Sequence, residues 1–363
     1  MTSDEEKGEF KNDELMMQDD GSDDNDDRIL APTIIYARGG KEDFVSLINA
    51  SNETNGWIRK YRDYDCYRKM LGPTKLHDIA ARTKIGDYVG SCICMEFDHY
   101  IFISLHYVHP KYRKYGIGME LFKRVIDDNL RMKNIGINVV QNISSIYSEK
   151  FGFNKRTTWM IDMIEVKNVD KTKIIERNDR SPISLTVPSR VVIQSLTAVD
   201  DNDEDVHLTV KDGKEVCLQR IIDYDAKIAK CQRDDFVGQW AIDRIDAVCK
   251  ILVNSNNEII GYGCGRLLSI VGCPSFGPIY CNSDDGFKHL FHALYSCFDE
   301  ELDKQNLIIL YIPTIKFNIM QQILHHATAS FQLKEQFIPQ FTQEIPDHNI
   351  DKIYCLPDVT MFI

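Results

Sequence analysis

Hydrophobic and polar positions between residues 32 and 166 follow two different periods. Alternating or continuous apolar runs favour strands at 33–37, 76–83, 87–97, 99–108, 135–140 and 158–166. Apolar positions three and four apart favour helices at 41–50, 57–71, 116–132 and 143–150. The resulting order, β-α-α-β-β-β-α-β-α-β, predicts a mixed α/β domain and excludes a helical bundle or an all-β sandwich.

A similar order returns in the second half of the chain. Residues 167–189 are polar and contain Pro182 and Pro188, which predicts a linker. The pattern after it favours strands at 191–196, 247–253, 259–268, 275–281, 307–312, 352–355 and 359–362, and helices at 218–230, 234–241, 284–303 and 317–325. The sequence therefore predicts two tandem α/β domains, at 31–166 and 190–363, of which the second is a diverged copy of the first.

The net charge of −12 is unevenly distributed along the chain. Residues 1–28 contain twelve acidic and three basic residues, a local charge of −9, which leaves only −3 for residues 29–363. Residues 1–30 have too little apolar content to offset the entropy of ordering, so they are predicted to form a disordered acidic tail. Because the remainder is close to neutral, a nucleic-acid partner bound through phosphate contacts is not expected.

The cysteines and the N-terminus indicate a cytoplasmic location, with a nuclear one left open. There are eleven cysteines, an odd number, and no Cys-x-x-Cys pair. Cys92 and Cys94 lie in an apolar run, where packing is expected rather than metal binding, and no metal site is expected elsewhere. The first residues are acidic, unlike a signal peptide, and no apolar run is long enough for a membrane helix, so no membrane partner is expected.

The most informative stretch follows the strand that ends at Pro110. It contains Arg113-Lys114-Tyr115-Gly116-Ile117-Gly118, an Arg-x-x-Gly-x-Gly pattern that opens a predicted helix. Unpaired amides and the positive end of the helix dipole suit a phosphate or pyrophosphate there, and the basic side chains add to this. The pattern lacks the third glycine of a dinucleotide-binding fingerprint, and the chain contains no P-loop motif.

These residues resemble the signature of the GNAT superfamily of acyl-CoA-dependent N-acyltransferases. Residues 108–118 are similar to its loop for the coenzyme A pyrophosphate, and residues 146–153 are similar to its aromatic-rich helix followed by Gly-Phe. The resemblance covers about residues 32–166, and residues 191–363 resemble the second domain of tandem YitH/HolE-type GNAT proteins. It implies acetyl-CoA as the acyl donor, and these cofactor-binding residues: Tyr107, Val108, Arg113, Lys114, Tyr115, Gly116, Ile117 and Gly118.

The resemblance also implies candidates for catalysis. A family tyrosine that protonates the leaving sulfur lies four residues before the glycine of Gly-Phe, a position held here by Ser148, while Tyr147 stands one residue earlier. Tyr147 is the candidate acid, with core packing as its alternative role. His106 is a candidate base whose ordinary pKa suits the task, or else a structural strand histidine. Glu96 and Asp98, near a predicted hairpin, are other candidates for the base.

Two carboxylates distinguish the second half from the first. Its equivalent loop, residues 282–286, has one glycine and no arginine, and Asp284 and Asp285 would repel a pyrophosphate. Coenzyme A is therefore expected in the first half only. The leading hypothesis is direct acyl transfer from acetyl-CoA to a small-molecule or peptide amine in a ternary complex. The alternative is a catalytically silent module of the same fold, and the oligomeric state is left open.

Overall fold

A computed structural model describes residues 32–57, 59–174, 195–199, 205–268 and 272–363. The predicted acidic tail and most of the predicted linker lie outside these residues. The first half contains β1 (Ile34–Arg38), α1 (Lys41–Asn55), α2 (Asp63–Lys75), β2 (Leu76–Thr83), β3 (Tyr88–Glu96), β4 (Ile101–Val108), α3 (Ile117–Val125), α4 (Asp128–Arg131), β5 (Ile135–Val140), α5 (Ser144–Phe151), β6 (Lys155–Arg156) and β7 (Ile161–Lys167).

The second half repeats much of this order. It contains β8 (Ser195–Val199), β9 (Asp205–Asp212), α6 (Leu218–Ala229), a π-helical segment (Phe236–Ile242), β10 (Ala247–Val253), β11 (Ile259–Leu267), β12 (Pro274–Cys281), α7 (Asp284–Tyr295), α8 (Asp299–Gln305), β13 (Leu307–Pro313), α9 (Phe317–His326), β14 (Ser330–Phe341) and β15 (Ile353–Cys355). The prediction of a mixed α/β fold in which the second half repeats the order of the first is confirmed.

One mixed sheet joins the strands of both halves. Its order is β1-β2-β3-β4-β5-β14-β7-β13-β12-β11-β10-β9-β8, with β15 beside β12 and β6 beside β14. The strand β7 of the first half pairs with β13, and β14 of the second half pairs with β5. Strands from both sides of the linker thus lie side by side in the centre of one sheet. The domain limits 31–166 and 190–363 remain a prediction from the sequence.

Several predicted elements differ in their bounds, each for a local reason. The helix predicted at 116–132 ends at Val125, because the Asp127 carboxylate accepts from the Leu130 amide and starts the separate helix α4. The helix predicted at 284–303 is interrupted after Tyr295 by a 3₁₀ turn. Residues 359–362, predicted as a strand, form none, although they are buried.

The helices of the first half cover the two faces of the sheet. On one face α1 and α2 bring Phe44 and Tyr67 into a core with Ile93 of β3. On the opposite face Leu121 of α3 and Tyr147 of α5 belong to a second core. Side chains alternate between faces along a strand, so neighbouring positions of β4 serve different cores.

A buried ion pair joins the two halves, and a second one lies beside it. Asp63 of α2 binds Arg244 of the second half over 2.5 Å, and within the second half Arg266 of β11 binds Asp358 over 2.6 Å. The Trp240 ring lies between the two guanidinium groups, 4.4 Å from that of Arg244 and 4.7 Å from that of Arg266. Removing one partner of such a pair leaves an uncompensated buried charge, which costs about 3–5 kcal/mol.

Candidate active site

The strands β4 and β5 separate where the candidate residues lie. They pair in parallel only between Ile101–Ile103 and Ile135–Ile137. On the other side of β4, Leu105 lies opposite Ile93 and Ile103 opposite Cys94, so Ser104 is the extra residue of a β-bulge. The edge of β4 beyond Ile103 is therefore unpaired with β5. We call this gap the β4–β5 cleft, and an extended ligand with amide groups can bind along its edge.

A basic loop leads from the open end of this cleft into α3. Residues 111–118, which we call the cradle loop, begin with a turn in which the Lys111 amide donates to His109 Nδ1 over 3.2 Å. Lys114 and Gly116 have φ angles of 71° and 74°, and Gly116 is the N-cap of α3. Because a glycine cap has no side chain to accept from the first helical amides, those amides are available to an anion.

The Arg113 side chain is held by hydrogen bonds to two other parts of the chain. Its Nε donates to the Val108 carbonyl over 3.0 Å, and its Nη2 donates to Asn55 Oδ1 over 3.2 Å. Asn55 is the last residue of α1, so the arginine joins the cradle loop to a helix 58 residues earlier in the chain. The sequence reasoning missed Asn55, and no local signal marks it, because its role exists only once α1 has packed beside the loop.

The other predicted cofactor residues have different environments. Tyr115 is 39% exposed, and Lys114 and Gly116 are exposed as well. Ile117 and Val108 are buried, so only their backbone groups can face a ligand. The Tyr107 side chain is buried on the opposite face, where its hydroxyl donates to the Ala50 carbonyl over 3.1 Å.

His106 and Tyr147 meet at the open end of the β4–β5 cleft. His106 Nε2 lies 3.0 Å from the Gly118 carbonyl oxygen, and its Nδ1 lies 3.1 Å from the Tyr147 hydroxyl. A carbonyl oxygen only accepts, so Nε2 carries the proton and Nδ1 is the acceptor. The Tyr147 hydroxyl therefore donates to His106. The structure brings these two predicted residues together.

Both members of this pair are neutral at pH 7. Burial lowers the pKa of His106 to about 4, although the bond to the Gly118 carbonyl acts in the opposite direction. Burial also raises the pKa of Tyr147, and the nearby Cys92 thiol adds to this increase. Cys92 lies directly opposite His106 in the β3–β4 pairing. The site therefore holds an uncharged imidazole and a phenol that retains its proton.

Ser148 does not belong to this arrangement. Its hydroxyl donates to the Phe153 carbonyl over 2.9 Å and accepts from Arg156 over 2.8 Å. These bonds support the end of α5, where Gly152 adopts a φ of 78°. Tyr147 is thus the residue of α5 that contacts His106, without any change in the helix.

Glu96 and Asp98 lie at the other end of β4, about 17 Å or more along the strand from His106. Burial would raise the pKa of Glu96, but hydrogen bonds from Lys133 and His77 lower it. Asp98 binds Lys75 over 2.8 Å, and this bond lowers its pKa. The structure therefore does not bring these two carboxylates to the site.

The second half has an equivalent cleft that the chain itself fills. The strands β12 and β13 pair only at Ser275–Phe276 and Ile309–Leu310, and then separate. In the gap, β15 pairs with β12, with Cys355 opposite Ile279 and Ile353 opposite Tyr280. The Leu356 amide donates to the Tyr311 carbonyl of β13 over 2.8 Å. Protein backbone thus pairs with β12 at the position where the corresponding edge of β4 is not paired with β5.

The loop after β12 is also unlike the cradle loop. The Ser283 hydroxyl caps α7 by accepting from the Gly286 amide over 3.1 Å. Asp284 accepts from the Tyr354 hydroxyl over 2.5 Å, and Asp285 binds Lys288 over 2.8 Å. The amides at this helix start are therefore next to carboxylates, which oppose a bound anion.

Within the described residues, no three or more His, Cys, Asp or Glu side chains are grouped so that they could hold a metal ion. None of the helices described is both long and apolar enough to span a membrane. All eleven cysteines are free thiols.

Comparisons with known proteins show what this fold is similar to. No protein-family model and no curated protein matches the sequence. A protein assigned as an acetyltransferase from Pyrococcus horikoshii is 12% identical, with a TM-score of 0.60 over 90% of this chain and 95% of that one. A tandem GNAT protein from the clavulanic acid biosynthesis pathway is 13% identical, with a TM-score of 0.56 over 85% and 98%.

A third similar structure is a GCN5-related N-acetyltransferase from Sphaerobacter thermophilus. It is 11% identical, with a TM-score of 0.50 over 85% of this chain and 95% of that one. In all three cases nearly the whole of the solved chain is covered, so the match extends over both halves. This chain has the tandem GNAT fold.

Proposed function

We propose that the protein is an acyl-CoA-dependent N-acyltransferase that uses acetyl-CoA and a primary amine. The observation that carries this proposal is the neutral His106–Tyr147 pair at the open end of the β4–β5 cleft, beside the cradle loop. The structures of similar fold are named acetyltransferases, which supports the class of reaction. The acceptor is a small-molecule or peptide amine.

The residues present fit coenzyme A in two respects. The amides at the start of α3, together with Lys111, Arg113 and Lys114, suit the negative charge of a pyrophosphate. The part of β4 beyond Ile103 is not paired with β5 and suits the amides of an extended pantetheine chain. It includes Tyr107 and Val108, of which the Val108 carbonyl already accepts from Arg113. Arg113, held by Val108 and Asn55, keeps the loop at the mouth of the cleft as well as supplying charge.

The reaction requires one bond to form, one to break and two protons to move. The unprotonated amine attacks the thioester carbonyl carbon, so a C–N bond forms and the C–S bond breaks. The nitrogen loses a proton to water. The Tyr147 O–H group, which donates to His106 Nδ1 before the reaction, turns toward the leaving sulfur and gives it a proton, and the hydroxyl then regains a proton from water. His106 carries no proton on Nδ1, so it positions Tyr147 and does not itself protonate the sulfur.

A direct assay tests this function. The full chain is incubated with acetyl-CoA and a panel of polyamines, amino sugars, amino acids and peptides, and release of free coenzyme A is followed with a thiol reagent. We expect release above the amine-free rate with at least one acceptor. If acetyl-CoA binds, as seen by calorimetry, but no member of the panel stimulates release, the chain is a silent binding module of the same fold.

A further inference from the structure

The helix that carries Tyr147 is short and depends on its neighbours for its position. The helix α5 contains only the eight residues Ser144–Phe151, and helices of fewer than about 12 residues are marginal without tertiary contacts. The bond from Tyr147 to His106 measures 3.1 Å, so a shift of about 0.5 Å would take it beyond hydrogen-bonding distance. The contacts that hold α5 on the sheet therefore set the geometry of the candidate active site.

A strand of the second half lies beneath this helix. Gln340 of β14 lies opposite Ile137 of β5 in their antiparallel pairing. Opposite residues of such a pair share one face of the sheet, and Ile137 belongs to the same core as Tyr147. The Gln340 side chain is therefore on the α5 side of the sheet, where it is completely buried.

Gln340 contacts α5 before and after Tyr147. Its Nε2 donates to Ser144 Oγ over 2.9 Å, and it makes longer contacts with the Ser144 carbonyl oxygen at 3.5 Å and with Ser148 Oγ at 3.4 Å. Because Ser144 and Ser148 are four residues apart, they lie one turn apart on one face of the helix. One amide group thus fixes α5 along its axis, and Tyr147 lies between the two contact points.

The orientation of the Gln340 amide follows from its neighbours. The Ser148 hydroxyl donates its one proton to the Phe153 carbonyl, so toward Gln340 it can only accept, and the amide nitrogen faces α5. The amide oxygen has no partner among the residues described. A buried acceptor without a partner costs stability, which an apolar side chain of similar size would avoid. The amide is therefore better explained by the position that it gives to the helix than by stability.

We propose that Gln340 is a positioning residue for Tyr147, so that the second half completes the active site of the first half without binding acetyl-CoA itself. This inference rests on the proposed transferase function and adds to it a residue that contacts neither reactant. Gln340 acts through Ser144 and the helix. The cradle loop leads into α3, a different helix, so acetyl-CoA binding does not depend on this contact.

A double-mutant cycle tests the proposal kinetically. Gln340→Met keeps the length of the side chain and removes its donor. We expect kcat to fall about 10–10²-fold, as for a small misplacement of a reacting group, and the Kd of acetyl-CoA to stay unchanged. In a Tyr147→Phe background the same change should have little further effect on kcat, because Gln340 acts through the Tyr147 hydroxyl. An equal fall in both backgrounds overturns the proposal.

Gln336→Met is the matched control. Gln336 lies on the same strand, and its Nε2 donates over 2.7 Å to Asp162 of β7 rather than to α5. This variant also loses a hydrogen bond of β14, yet it should keep the native kcat; a loss as large as that of Gln340→Met overturns the positioning role. Should Gln340→Met not fold, Ser144→Ala removes the same 2.9 Å bond from the helix side, and we expect the same effects from it.

A spectroscopic measurement distinguishes this proposal from the proposed function. In protein with histidine isotopically labelled on nitrogen, and without acetyl-CoA, the His106 Nδ1 resonance reports the bond from Tyr147 and is identified by its absence in His106→Gln. Gln340→Met should shift this resonance, and Gln336→Met should not. An unchanged resonance in Gln340→Met overturns the positioning role even in an active enzyme. A shifted resonance supports that role even if no amine stimulates release of coenzyme A, in which case the transferase function alone fails.

Discussion

The Tyr147 hydroxyl donates to His106 Nδ1 over 3.1 Å, joining two residues that are 41 positions apart in the sequence. The direction of this bond follows from the second one, in which His106 Nε2 must donate to the Gly118 carbonyl. The imidazole therefore has no proton to give toward the cleft. In this pair Tyr147 is the hydrogen-bond donor, and His106 is the acceptor that orients its hydroxyl group.

Replacing Tyr147 by Phe should lower kcat about 10²–10⁴-fold, because the proton donor for the sulfur is lost. Binding of acetyl-CoA should be unchanged, since the ring would keep its contacts with Phe151 and Phe153. Steady-state kinetics and calorimetry measure the two effects. Tyr36→Phe on β1 is the matched control and should behave as the native enzyme; an equal loss in both variants would contradict the role of Tyr147.

His106→Gln should reduce kcat less than Tyr147→Phe and should leave the shape of the pH profile unchanged. The reason is that His106, with a pKa of about 4, stays neutral throughout the neutral range. The kcat profile is measured for both proteins from mildly acidic to mildly basic pH. If the native profile contains an ionisation near about 6.5 that His106→Gln removes, His106 is acting as a base.

Lys114→Glu should weaken acetyl-CoA binding by about tenfold or more, because it reverses a charge at the cradle loop. The measurement is the rise in melting temperature with acetyl-CoA, which we expect in the native chain and expect to be reduced in this variant. Lys123→Glu, an exposed change in the last turn of the same helix, controls for net charge. If both variants lose acetyl-CoA affinity to a similar extent, the loss is due to the change in net charge and not to the cradle loop.

Each chain should bind one molecule of acetyl-CoA. The cleft of the second half already contains Ile353 and Cys355, paired with β12, and the carboxylates after β12 disfavour a pyrophosphate. Calorimetry with protein of known concentration gives the stoichiometry. Two sites per chain would mean that residues 353–356 can leave the second cleft.

Asp78→Asn should stabilise the protein above neutral pH. The folded-state pKa of about 7 exceeds the unfolded value of 3.8, so stability due to this group falls between these pH values and is constant above them. The slope for one group is at most about 1.4 kcal/mol per pH unit. Urea unfolding at a series of pH values should show that the variant gains stability relative to the native chain over this interval. A constant difference across it would contradict the raised pKa.

The local pattern was enough to predict most of the elements near the site. The strands at 76–83 and 135–140 have the predicted bounds, and the Arg-x-x-Gly-x-Gly loop opens α3 as expected. The sequence pattern does not predict β14, because half of the residues of Ser330–Phe341 are polar, much of the segment is half-exposed, and it contains Pro339. Its place in the centre of the sheet depends on pairing with β5 and β7, which no local pattern encodes.

By itself, the sequence determined the fold class, the repeat of the α/β order, and the basic glycine-containing loop, because periodicity and turn residues are local properties of the chain. Only the tertiary structure decided how the two halves share strands, that β15 fills the second cleft, and that His106, Tyr147 and Gly118 form one hydrogen-bonded group. These features depend on contacts between residues distant in sequence, and on the burial that sets the pKa values of the groups in contact. They arise when the helices pack on the sheet and exclude water from its faces.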